Sequence, residues 1–120
     1  MNIMCQAQFE PMILSGRKPH TVRRKRKKPL RIGQPLSLRV WTGKPYRSKQ
    51  REFHYSTVKK VVPFHLDYSD VMIVDGVHLS ILAQNDFAWH DGFENADEMR
   101  KWFLKTHAFP FDGEVIYWRK

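Results

Sequence analysis

The chain is poor in anything that would staple it or carry it through a membrane. It has one cysteine, Cys5, so no internal disulfide can form, and a reducing compartment is the expectation. A small buried side chain is the ordinary fate of such a residue, a catalytic thiol the rarer one. No stretch approaches the roughly 20 apolar residues of a membrane span. The opening Met1-Asn2-Ile3-Met4 has no basic start, long apolar run or small-residue cleavage site. The expectation is a cytoplasmic protein, with no membrane and no obligate protein partner evident. Metal-ligand spacing is missing as well. The six histidines, His20, His54, His65, His78, His90 and His107, fall into no Cys/His or HExxH-type pattern. There is no Walker loop and no dinucleotide glycine motif, so neither a metal nor a cofactor is expected.

Acidic residues are missing from one segment in particular. Arg17, Lys18, Arg23, Arg24, Lys25, Arg26, Lys27, Lys28 and Arg31 are nine basic residues with no acid among them. The other twelve Lys and Arg are balanced by twelve Asp and Glu, so the net charge of +9 sits between Arg17 and Arg31. Such a concentration attracts polyanions and steers them at long range. A solvated loop is the plain alternative. No apolar helix face accompanies the charges, which argues against a membrane surface.

The 120 residues make one domain, 1–120, with no linker or internal repeat and enough apolar content to close a core unaided. Residues 2 to 6 read as a short strand. Phe9, Met12, Ile13 and Leu14 mark a short helix within Ala7 to Ser15, with Pro11 in its first turn and Gly16 as its stop. Lys18 to Arg23 reads as extended, because Pro19 biases its predecessor away from helix, and Lys25 to Pro29 as a basic loop. Leu36, Leu38 and Val40 alternate with polar neighbours as a half-buried strand. Phe53 to Val62 reads as another strand with an irregularity near Val58. Val71 to Ile81 reads as a hairpin about Asp75-Gly76. Phe93, Ala96, Met99, Trp102 and Phe103 then recur every three or four residues, the pattern of an amphipathic helix, with Asn95 and Glu98 as a capping pair. Val115 to Trp118 closes the chain as a strand. Strands interrupted by helices without regular alternation predict an α+β fold, and a small twisted barrel with flanking helices fits the count.

Two clusters hold the candidate chemistry. One is Gly16-Arg17-Lys18-Pro19-His20-Thr21-Val22-Arg23, where a bend at Pro19 would bring Lys18 and Thr21 together. A lysine beside a hydroxyl serves as a base once desolvation lowers its pKa; a plain basic strand would contain the same residues. The other is Trp89-His90-Asp91-Gly92-Phe93, where Gly92 permits an unusual backbone angle before the helix. An acid there either enters a pocket or anchors the helix start. The loop from Trp41 to Lys49, with Arg47 in it, mixes aromatic and basic side chains and suits one wall of a cleft.

In this order, Phe9, Ile13-Leu14-Ser15-Gly16-Arg17-Lys18-Pro19-His20-Thr21-Val22-Arg23, Arg31-Ile32-Gly33, Asp91-Gly92-Phe93 before a helix, and a closing strand ending in Trp118, the chain resembles the ASCH family of the PUA-like RNA-binding folds. The resemblance covers nearly the whole chain, and the LSGRK-x-x-T-x-R stretch is its most specific part. It implies a small PUA-like β-barrel with flanking helices and a cleft between barrel and helix. Some ASCH proteins are amidohydrolases that cleave N4-acetylcytidine to cytidine and acetate without a metal. The positions they use fall here on Lys18, Thr21 and Asp91, with aspartate standing where those enzymes carry glutamate. Other members are regarded as RNA binders, and a ribonuclease activity has been attributed to the family.

On that footing Thr21 is the expected nucleophile, Lys18 its base, and Asp91 the group that holds Lys18 or protonates the leaving nitrogen. Arg17 or Arg23, or a backbone N–H, would meet the oxyanion. Trp41 or Trp89 would stack on the pyrimidine. His20 is expected to face the ligand and Arg47 to bind it. Arg24, Lys25, Arg26, Lys27 and Lys28 are the expected nucleic-acid contacts, so the partner is a modified cytidine nucleoside or RNA. A binding module without catalysis is the competing expectation.

Overall fold

The computed structural model of the protein describes residues 1–119. In chain order it has β1 (Asn2–Met4), a 3-10 turn (Ala7–Phe9) running into α1 (Glu10–Leu14), β2 (His20–Arg24), β3 (Pro35–Trp41), β4 (Gln50–Thr57), β5 (Lys60–Leu66), β6 (Met72–Val74), β7 (Val77–His78), α2 (Ile81–His90), α3 (Ala96–Thr106) and β8 (Phe111–Tyr117). Helices and strands are mixed without regular alternation, as in an α+β fold. Among the described residues no helix is long and apolar enough to cross a membrane.

The strands form two sheets. One runs β1-β3-β4 and the other β2-β8-β5-β6-β7. The hydrogen-bonded ladder therefore does not close into the continuous barrel that the sequence led us to expect. Its two interruptions have local causes. The stretch from Phe53 to Val62 is two strands, and Val58 is the corner between them. Val58 is fully buried, donates its N–H to Gln34 O (2.8 Å) and accepts from Gly33 N–H (2.7 Å), which holds it to the β2–β3 connection. The next residue, Lys59, already donates to Tyr117 O of the second sheet (2.7 Å). At the other interruption, β1 and β2 share no ladder; the Arg23 guanidinium reaches across to Met4 O at 2.8 Å instead.

The hairpin about Asp75-Gly76 forms with both turn residues at positive φ, 54° and 77°, the backbone that a two-residue turn between twisted strands requires. It is shorter than the sequence suggests. β7 stops at His78, and Ser80 caps a helix by accepting the Ala83 N–H. Ile81 thus opens α2 rather than ending a strand. The sequence hides this helix because its first two apolar residues, Ile81 and Leu82, are exposed, while its buried face is Gln84, Phe87 and Ala88. Gln84 is fully engaged: its amide donates to Asp70 O and Leu79 O and accepts from Arg100 of α3. α3 begins where its cap predicts, with the Asn95 side chain accepting the Glu98 N–H at 2.9 Å; Phe93 lies just before it.

The two helices close over the second sheet through aromatic rings. Phe64 of β5 lies 5.7 Å from Phe87 of α2, 6.3 Å from Phe103 of α3 and 6.1 Å from Phe111 of β8. Phe64 is buried, so truncating it removes apolar area and leaves a cavity that rigid neighbours cannot fill. Phe64→Ala is expected to cost about 3–5 kcal/mol, read as a lower urea midpoint at unchanged slope. A loss below about 1 kcal/mol would mean that the helices do not depend on this ring.

Candidate active site

Two turns far apart in sequence build the site. In the first, α1 ends at Leu14, and the Lys18 N–H folds back to donate to Met12 O at 3.0 Å. Pro19 then leads into β2. In the second, Asp91 ends α2 with its N–H on Phe87 O at 2.9 Å, and Gly92 turns the chain at φ +102°. A Cβ at Gly92 would stand 2.6 Å from ring carbons of Phe9, so this turn tolerates only glycine, by conformation and by space.

The turns meet through Lys18 and Asp91. Lys18 Nζ donates to Asp91 Oδ1 at 2.9 Å and to the Asp91 main-chain oxygen at 2.6 Å. His20 Nδ1 approaches the same Oδ1 at 3.1 Å. All three residues are 3% exposed. Burial pulls the Lys18 amine below the ordinary lysine range, against the opposing pull of the Asp91 carboxylate. Burial pushes the Asp91 carboxyl upward, but the charge of Lys18 and the hydrogen bond from His20 outweigh it and hold Asp91 below the ordinary carboxylate range. The carboxylate is therefore the firmly charged member, and the lysine is the one whose proton is loosened. The terminal carbonyl of α2 and the Phe9 ring, 4.9 Å from Nζ, give the ammonium its remaining support.

A cavity of about 610 Å³ opens beside this contact, a size that suits a nucleoside-scale ligand. Lys18, Thr21, Arg23, Asp91 and His107 supply its polar lining, and Phe9, Trp41, Tyr46, Phe93 and Trp102 supply aromatic faces. The Cys5 thiol also lines it, pushed up in pKa by burial and so kept neutral. His107 is pulled down by burial and by the charges of Arg24 and Arg23, which keeps it neutral too.

The site residues expected from sequence divide into two groups. Lys18, Thr21, Asp91, Arg23 and Trp41 share the cavity. His20, Arg17, Trp89 and Arg47 do not line it. His20 lies beneath the carboxylate, stacked on Phe87 at 4.7 Å and edge-on to Tyr117 at 4.9 Å, because it points into the sheet's packed side. Arg17 and Trp89 occupy each other: the guanidinium sits 3.4 Å from the ring centre and donates to Trp89 O (3.1 Å) and Phe93 O (3.3 Å). They clamp the same two turns from outside. Arg47 is exposed, and its neighbour Tyr46 enters the cavity wall instead, 5.2 Å from Trp41. Arg24 to Lys28 are exposed. Tyr46 comes from the Trp41 to Lys49 loop expected to wall the cleft, whereas Trp102 and His107 were not foreseen. Trp102 lies on an apolar helix face that reads as core, and His107 carries no spacing signal. Among the described residues no group of three or more His, Cys, Asp or Glu is placed to hold a metal.

The buried contact predicts a pattern of coupled stabilities. Lys18→Met keeps the bulk but strands a buried carboxylate, at an expected cost of about 3 kcal/mol or more at pH 7. Lys18→Met with Asp91→Asn should recover much of that loss, measured as a double-mutant cycle by urea unfolding. Additive losses would mean that the two charges do not compensate one another. The stability carried by Asp91 is present in full above its unfolded pKa, about 3.9, and is lost as pH falls through the depressed folded value.

In comparisons with known proteins, no family model, no curated protein and no solved structure matches this chain.

Proposed function

We propose that the chain is an ASCH-type amidohydrolase that cleaves N4-acylcytidines to cytidine and a carboxylic acid. The observation that carries this is the buried Lys18–Asp91 contact in the wall of a nucleoside-sized cavity that Thr21 also lines. A protein that only bound phosphates would keep its lysines in water, where they cost nothing to hold charged. This lysine is taken out of water and its proton loosened, an environment that suits proton transfer. The exposed run Arg24 to Lys28 supports the second reading, an RNA-binding module. Its affinity would fall steeply with salt, while turnover of an uncharged nucleoside would not. The finer fold assignment belongs to the same proposal: two sheets joined at the Val58 corner around one apolar core suit a PUA-like barrel interrupted between β1 and β2.

The chemistry balances with this chain's own residues. Neutral Lys18 accepts the Thr21 hydroxyl proton as Oγ bonds to the acyl carbon, and the carbonyl oxygen gains the charge. Arg23, in the same cavity, is the cation available to that oxyanion. Collapse breaks the bond to N4, and Lys18 returns the proton to the departing cytidine. Water then attacks the threonyl ester with Lys18 again as base, releasing the acid and restoring Thr21. Asp91 stays ionised and positions the amine, so it is not the proton donor to N4. Aspartate is one methylene shorter than the family glutamate; here the lysine docks on the Asp91 main-chain carbonyl as well, which removes the need for the longer reach.

Cytidine release from N4-acetylcytidine tests this. Lys18→Ala and Thr21→Ala should each lower kcat by about 10² to 10⁴ while remaining folded by circular dichroism. In the wild type kcat/KM should rise with pH along a limb that lies below the ordinary lysine pKa. Asp91→Asn should move that limb lower still, because the carboxylate favours the charged amine. Full activity in either alanine variant, or a limb indifferent to Asp91, would rule out the assigned roles.

A further inference from the structure

The proposed hydrolysis uses none of the exposed positive charge. That charge has a place of its own. Next to the main cavity lies a smaller groove of about 150 Å³, lined by β1 together with Arg23, Arg24 and Arg26. Met4 and Arg23 line both hollows, so the groove begins where the cavity wall ends. No acid lines it. Among the described residues none of these three arginines lies within ion-pair distance of a carboxylate. Arg23 is half-buried with its Nη2 on Met4 O, and its Nε is buried without a partner.

Three guanidinium groups around one groove repel each other, and nothing in the groove offsets the repulsion. A bound anion would. The guanidinium fork matches two oxygens of a phosphate, which makes arginine, more than lysine, the residue for such a site. A free nucleoside has no phosphate to place there. A nucleoside inside a strand carries a phosphodiester on each side of its sugar. Resting on the amidohydrolase reading, we propose that the substrate is an acylated cytidine held within single-stranded RNA. Its base enters the cavity, and a neighbouring phosphodiester lies in the groove of Arg24 and Arg26. Arg23 stands at the junction, and the exposed Lys25, Lys27 and Lys28 meet further phosphates. A single strand is required because the reacting amide must be free of pairing and stacking to enter the cavity.

The test compares two substrates, free N4-acetylcytidine and a short oligoribonucleotide with one central N4-acetylcytidine. Each is given to the wild type and to an Arg24→Gln/Arg26→Gln variant, at low and at physiological salt. The proposal expects the oligonucleotide to have at least about tenfold higher kcat/KM at low salt. That advantage should shrink with salt and collapse towards one in the variant. Equal rates for the two substrates in the wild type would overturn it, as would an advantage that survives in the variant. If neither substrate is hydrolysed, the amidohydrolase reading is what fails, and binding of the same labelled oligonucleotide decides the groove. The slope of log affinity against log salt should then flatten in the variant by about 0.7 for each phosphate contact removed. An unchanged affinity and slope would overturn the groove as a phosphate site.

Discussion

The contact between Lys18 and Asp91 spans 73 residues of sequence and fixes the geometry on which the site depends. A buried charge left alone costs several kcal/mol, so each partner makes the other tolerable. The surrounding turns are shaped to deliver that contact. The first returns Lys18 towards α1; the second spends a glycine at position 92 so that Asp91 can end α2 against the Phe9 ring. Arg17 and Trp89 repeat the connection on the outside, with the guanidinium stacked on the indole and hydrogen-bonded to both ends of the turn. Two clamps, one dry and one wet, join the same pair of turns. The cavity therefore opens beside a seam held at two points, and the Lys18 amine in its wall is fixed by the inner one.

How far this was legible in sequence depends on whether a local signal existed. Leu36, Leu38 and Val40 alternate because one face of β3 is buried, and Asn95 with Glu98 announces a helix start through a hydrogen bond that spans three residues. Lys18, Thr21 and Asp91 were singled out together by the family resemblance; Pro19 and Gly92 beside them mark only bends in the chain. What stayed hidden is set by long-range partners. α2 lacks a clean apolar stripe because its buried face includes Gln84, whose polar groups are satisfied by Asp70, Leu79 and Arg100. The corner at Val58 needs Gln34, Gly33 and Tyr117 to define it. His20 reads as a ligand-facing residue in a basic run, and its burial depends on Asp91, Phe87 and Tyr117, all distant in sequence.

The basic segment illustrates how poorly charge alone reports environment. Within the fifteen residues from Arg17 to Arg31, one cation is stacked on an indole, one is buried against a carboxylate, one is half-buried between two strands, and the rest face water. Strand geometry sorts them. β2 passes from the packed interior at His20, Thr21 and Val22 to the open surface at Arg24. The same strand therefore begins among buried, hydrogen-bonded groups and ends among cations that face water. Distance along β2 divides one compositional feature between two environments.

The broken ladder between β1 and β2 belongs to the same design. Met4 and Arg23, which line both hollows, lie on these two strands. β1 pairs only with β3 and β2 only with β8, and Met4 O is satisfied by the Arg23 side chain rather than by a backbone N–H. A guanidinium spans more than an amide does, so the bond holds the strands together while keeping them apart. Cys5 and Met4 on one lip, and Thr21 and Arg23 on the other, then become walls of a cavity rather than neighbours in a sheet. The gap between β1 and β2 and the cavity beside Lys18 thus lie at the same edge, where the two sheets share no ladder.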